Sequence, residues 1–197
     1  REVLMSKEPI PPECIGLPDE ETMSCSDGLV ENHHYMDMRR MNEDDLAAVR
    51  RDEQAVLAWS EETGLPPISD EAYDHFVLLP EGNLLFDWIM VDAGVASTVV
   101  DLSVIGCCPV TSCSGGDDHY ESHPLVVFWA ESEQLELVKS AVKAPVELCG
   151  ASSPGLMVYT TTGTVQDMAA FSVRLEAAWR EAGAPVTEWP PPGSAEE

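Results

Sequence analysis

The stretch Leu125-Val126-Val127-Phe128-Trp129-Ala130, with the two segments Ser132–Lys143 and Val146–Thr161 that follow it, decides the fold. Consecutive apolar residues rich in β-branched and aromatic side chains, too short a run for a helix, read as a buried strand. Ser132 then opens a helix with Glu133 in its first turn and Lys139 and Lys143 toward its end, the charge order that a helix dipole favours. Leu135, Val138 and Val142 give that helix its core face. Val146–Cys149 and Leu156–Thr161 read as two further strands joined by the turn Gly150-Ala151-Ser152-Ser153-Pro154-Gly155. Thr164, with Asp167 three residues on, reads as a capping box for a long final helix. Met168, Phe171, Leu175 and Trp179 fall at helical spacing along it, and Gly183 and Pro185 stop it.

Upstream, Asn42 is a good N-cap, Glu43, Asp44 and Asp45 place negative charge in a first turn, and Leu46, Val49 and Val56 fall near one stripe. Gly64, Pro66 and Pro67 end that helix, and Ser69 caps a short second one containing Tyr73 and Phe76. Leu84–Val91 is apolar on nearly every side and reads as an internal helix closed by Gly94. The β-branched run Val95–Val104 reads as a strand. This order implies an α+β fold: a small mixed or antiparallel sheet with helices packed on one face, a two-layer sandwich preceded by an irregular N-terminal arm and short helices. The chain divides into an arm over 1–41, a single domain over 42–183 and a Pro-rich acidic tail over 184–197. Ile10, Ile15, Leu17, Leu29 and Val30 give the arm apolar side chains with which to dock on the domain.

Charge is the unusual feature of these 197 residues: 10 Lys and Arg stand against 36 Asp and Glu, a net −26. Binding to a phosphate backbone needs Lys and Arg to displace counterions, so direct nucleic-acid recognition is disfavoured. No apolar run reaches the ~20 residues of a membrane-spanning helix. Between Arg51 and Lys139 there is no Lys or Arg and there are 17 acidic side chains. Such a field steers basic proteins toward the chain, and it can imitate nucleic acid toward a basic groove. The leading functional expectation is therefore a non-catalytic acidic protein that binds, and inhibits or scaffolds, a basic macromolecular partner. The same surface also serves solubility.

The six cysteines do not read as a secreted disulfide framework. Adjacent Cys107 and Cys108 rarely bridge each other without strain, the first ten residues are mixed and polar, and the expected compartment is the reducing cytoplasm. One segment concentrates chemistry: from Cys107 to His123 lie three thiols, two imidazoles and three carboxylates. Thiolate and imidazole are ligands of zinc, and Cys113, His119 and His123 are separated by 5 and 3 residues, short enough to wrap one ion. In an extended chain His119, Glu121 and His123 would share a face as a two-His, one-carboxylate set, the ligand chemistry of open catalytic zinc or iron sites. Cys107 and Cys108 are weaker candidate ligands, since buried thiols also pack as small apolar groups. The alternative function is thus a metal-binding protein or metal-dependent hydrolase centred on Cys113, His119, Glu121 and His123. A thiol nucleophile at Cys113, with His119 or His123 as base, is a further possibility, opposed by the neighbouring carboxylates. His33, His34, Met36, Met38 and Met41 offer soft ligands suited to Cu(I), or packing groups for the arm.

Overall fold

The computed structural model describes residues 9–17, 41–67, 69–80, 82–83, 85, 91–116, 121–151 and 155–184. Among these, five helices and four strands form an α+β fold: α1 (Glu43–Thr63), α2 (Asp70–Val77), α3 (Ala96–Val104), β1 (Cys108–Cys113), β2 (Leu125–Trp129), α4 (Ser132–Ala141), β3 (Val146–Gly150), β4 (Leu156–Thr160) and α5 (Val165–Glu181). The sheet runs β1-β2-β4-β3 with every pairing antiparallel. Strand β4 lies between β2 and β3, so those two run parallel and α4 connects them across it. A β1-β2 hairpin and a β3-β4 hairpin are thereby laid into one open sheet.

Alternation assigns each strand residue to a face. Val126, Phe128, Leu156 and Val158 are fully buried and belong to the main core together with Val99, Leu102, Met168, Phe171 and Leu175 from α3 and α5. Each such side chain contributes roughly 1.5–3 kcal/mol relative to exposure. The opposite face carries two cross-strand rows set by the register, Thr111-Val127-Met157-Cys149 and Cys113-Leu125-Tyr159-Glu147. Trp129 and Cys108, paired opposite each other, continue it and form a separate small cluster with Val110 and Leu17. Helix α3 touches the sheet on one side and α1 on the other, which is why Ala96 to Ser103 are all buried.

The helix at α1 follows its sequence signals closely. The Asn42 side chain accepts from the backbone N–H of Asp44 and Asp45 at 2.8 and 3.2 Å, Asp45 accepts from the Asn42 N–H at 3.0 Å, and Gly64 closes the helix in the left-handed conformation. Ser69 likewise caps α2 through the Ala72 N–H. At α5 the expected capping box takes another form: the Thr164 hydroxyl donates to the Asp167 carboxylate and caps no backbone N–H.

Two readings are corrected. The Val95–Val104 run is the helix α3, not a strand. Its β-branched residues are a weak preference that burial on all sides overrides. Val95, Val99 and Leu102 already carry an i, i+4, i+7 repeat. Within the Cys107–His123 segment, where the sequence reading places no strand, Cys108–Cys113 is the edge strand β1, and it tolerates Pro109 because the ladder is interrupted between Pro109 and Thr111 at an edge. The helix read over Leu84–Val91 lies for the most part outside the described residues, as does the tail beyond Ala184. Of the arm, the described part is docked: Cys14 is buried, Ile10 and Ile15 pack on the core, and the Gly16 N–H donates to Ala130 O at 2.8 Å.

Candidate functional site

The Cys/His segment divides between the two ends of β1. Cys107 and Cys108 sit at its start, nearly inaccessible, with Cys107 in the main core and Cys108 against Trp129. Burial pushes the Cys107 thiol well up, so it stays protonated. Cys113 stands at the other end, five residues along an extended strand or roughly 16 Å away at ~3.3 Å per residue. Zinc–sulfur bonds of about 2.3 Å cannot bring these sulfurs to one ion. Cys113 is half-buried and accepts from the Gly115 N–H at 3.4 Å. Ser114 next to it is buried, and both its N–H and its hydroxyl donate to Asp92 Oδ2, at 3.2 and 3.3 Å.

His123 is exposed at the same end, since the chain returns there into β2. Gly115 makes this return possible: it adopts φ +74, and a Cβ on it would stand 2.7 Å from the His123 carbonyl carbon. The His123 ring shares a 2.7 Å hydrogen bond with Ser122 Oγ, and its Cδ2 lies over Gly163 in the β4–α5 turn. Glu121 is exposed in a bent segment rather than in a strand, so the face-sharing argument for His119, Glu121 and His123 has no extended backbone behind it at 121–123. His119 lies outside the described residues, and among the described residues no group of three or more His, Cys, Asp or Glu converges on a point that could hold a metal ion.

The sequence reading passed over the buried carboxylates. Glu53, on α1, is buried at the start of α3 and accepts from the N–H groups of Gly94, Ala96 and Ser97 at 2.8, 2.9 and 3.2 Å and from the Ser97 hydroxyl. It replaces the side-chain cap that Val95 cannot supply. Burial raises its pKa, and the four hydrogen bonds partly oppose that rise. Asp101, on α3, accepts from Arg50 at 3.0 Å and from the Ser172 hydroxyl. Burial outweighs the attraction of Arg50 and the Ser172 hydrogen bond and pushes its carboxyl up to about 7. Arg50 also pairs with Glu176, which Arg180 joins to Glu43. These groups tie α1, α3 and α5 together. A cleft of about 180 Å³ lies beside them, lined by Arg50, Glu53, Gln54 and Ser97 with apolar Ala169 and Val173.

The surface has a different character. Of the six described Lys and Arg, Arg50, Arg51, Lys139 and Arg180 are held in ion pairs with carboxylates of the fold itself. Around the corner between α1 and α2, exposed Glu61, Glu62, Asp70, Glu71 and Asp74 have no cation in their segment. Three of the four large apolar residues exposed among the described ones belong to the same stretch: Leu65 in the α1–α2 turn, Tyr73 on α2 at 51 % and Leu78 at its C-terminal end at 80 % exposure. The corner is firm: the Trp59 ring stacks on His75 with centroids 5.6 Å apart and meets Phe76 edge-on, and Ser60 Oγ donates to Leu65 O. No helix among the described residues is long and apolar enough to cross a membrane. No family model, no curated protein and no solved structure matches this chain.

Proposed function

We propose that this chain is a non-catalytic acidic interaction protein that binds a basic macromolecular partner through the α1–α2 corner. The observation that carries the reading is that five exposed carboxylates and the exposed Leu65, Tyr73 and Leu78 all fall in the stretch from the end of α1 through α2, which has no Lys or Arg. A partner segment complementary to it is basic with apolar anchors. The carboxylates steer it and fix its orientation, and the apolar contacts add affinity that charge alone does not supply. Occupying a basic groove inhibits the partner's own ligand, and this is the action such a surface performs most directly. The five described cysteines, all free thiols, support a reducing, cytoplasmic setting for it.

Calorimetric titration of the full chain with two synthetic peptides tests the reading, one an amphipathic Lys/Leu helix and the other a Lys/Ser peptide of equal charge. Burying one or two exposed apolar side chains is worth ~1.5–3 kcal/mol each, so the Lys/Leu peptide is expected to bind at least tenfold more tightly. Raising salt from 50 to 500 mM should weaken both by tenfold or more, since screening shortens from over 10 Å to a few ångström. Equal affinity for the two peptides, or affinity insensitive to salt, contradicts the reading.

A further inference from the structure

The end of α1 is held against the last turn of α2 by aromatic rings. Trp59 stacks on His75, with centroids 5.6 Å apart and planes 22° from parallel, and the buried Phe76 meets both rings edge-on. His75 is exposed and Trp59 half-buried, so the pair keeps ring surface open to solvent. Helical spacing places one exposed carboxylate from each helix beside the stack: Glu62, three residues after Trp59 on α1, and Glu71, four residues before His75 on α2. Among the described residues no Lys or Arg pairs with either carboxylate. The turn that joins the two helices is fixed: the Thr63 hydroxyl donates to Trp59 O at 2.8 Å and accepts from the Leu65 N–H at 3.3 Å.

We propose that the Trp59–His75 stack, with Glu62 and Glu71 beside it, is a binding site for a guanidinium group, and that an arginine of the basic partner occupies it. The inference rests on the basic-partner reading and adds to it which cation the surface selects. A guanidinium is planar and weakly hydrated and carries five N–H donors in its plane, so its face lies on the rings while its edge donates to carboxylates. A lysine ammonium is a compact, strongly hydrated charge, which gains from Glu62 and Glu71 but little from the ring faces. The chain brings no cation of its own to this stretch, because 52–138 contains no Lys or Arg. The rings are already stacked and the turn already set, so binding an arginine orders little that is not ordered beforehand.

Calorimetric titration of the full chain at pH 8 with two amphipathic helices of equal length and charge, one Lys/Leu and one Arg/Leu, tests it. The Arg/Leu peptide is expected to bind about fivefold or more tightly, from one stacked guanidinium with charge-assisted hydrogen bonds at its edge. His75→Ala removes a ring from an exposed position and should cut that preference to below about twofold, while the Lys/Leu peptide binds as before. Where His75→Ala fails to fold, His75→Gln, polar and without a ring, makes the same comparison. A wild type that binds both peptides equally overturns the guanidinium site and leaves the basic-partner reading in place, whereas a wild type that binds neither overturns both. An arginine preference that survives the loss of the ring also overturns the site, since the carboxylates alone would then select the cation.

Discussion

At the scale of single residues, the groups that hold the helices together are charged and buried, a combination that a sequence does not display. Glu53 falls on α1 beside Asp52 and Gln54, where any reading by polarity sends it to solvent. In the fold it is the cap of another helix, and the partners that reveal this, Gly94, Ala96 and Ser97, lie more than 40 residues away. Glu53→Gln keeps the shape but turns an amide NH2 toward backbone donors. It should cost about 2–4 kcal/mol by urea unfolding at pH 7, against about 1 kcal/mol for Ser97→Ala. Asp101 gives a pH signature. Its carboxyl titrates near pH 7 in the folded chain and at about 3.9 when unfolded. Between those values the folded state holds a proton that the unfolded state has released, so its contribution to stability is full below pH 4 and is lost as pH rises through 7. Glu53, also raised, has the same sign. Glu176 has the opposite one: burial raises its pKa, but hydrogen bonds from Arg50 and Arg180 prevail and lower it, so its contribution is lost only in acid. Urea midpoints of Asp101→Asn should therefore fall less than those of the wild type between pH 5 and 8, and parallel curves would show that Asp101 does not titrate there.

At the scale of elements, α1 and α2 are legible because cap and period agree, and α4, α5, β2, β3 and β4 because their apolar pattern is clear without a cap. Where two signals conflict, propensity misleads: Val95–Val104 is rich in β-branched residues, and only Glu53 and the packing of α1 and α5 around it make it a helix. Strand β1 was obscured by its proline and its irregular register, both permitted by its edge position. Glu121 and His123 lie in a bend before β2 begins, so the alternation that would put them on one face does not operate at 121–123. The junction that admits α3 is testable. Gly94 has φ +102, and a Cβ on it would overlap the Val165 side chain at the start of α5. Gly94→Ala should lose about 2–4 kcal/mol from strain and overlap together. Adding Val165→Ala should recover part of that loss by removing the overlap, and a cycle with no coupling would place the α3–α5 contact elsewhere.

At the scale of the whole molecule, charge was legible as a sum and as a gap between Arg51 and Lys139, but its consequence depends on where the fold sends it. Most of the described cations are consumed internally, and the cation-free gap includes the corner where α1 meets α2 and apolar side chains are exposed. A diffuse acidic coat and a built surface predict different behaviour, because only the second depends on which carboxylates remain. The measurement that separates them is the affinity of the Lys/Leu peptide for two full-length variants with equal loss of charge. One removes carboxylates at the corner, Glu61→Gln/Glu62→Gln/Glu71→Gln/Asp74→Asn, and the other removes the exposed Glu121, Glu131, Glu133 and Glu181 as glutamines. A binding surface at the corner predicts a tenfold or greater loss for the first and less than twofold for the second at the same salt. Equal losses in the two variants would contradict it and leave the charge of the chain as general electrostatics alone.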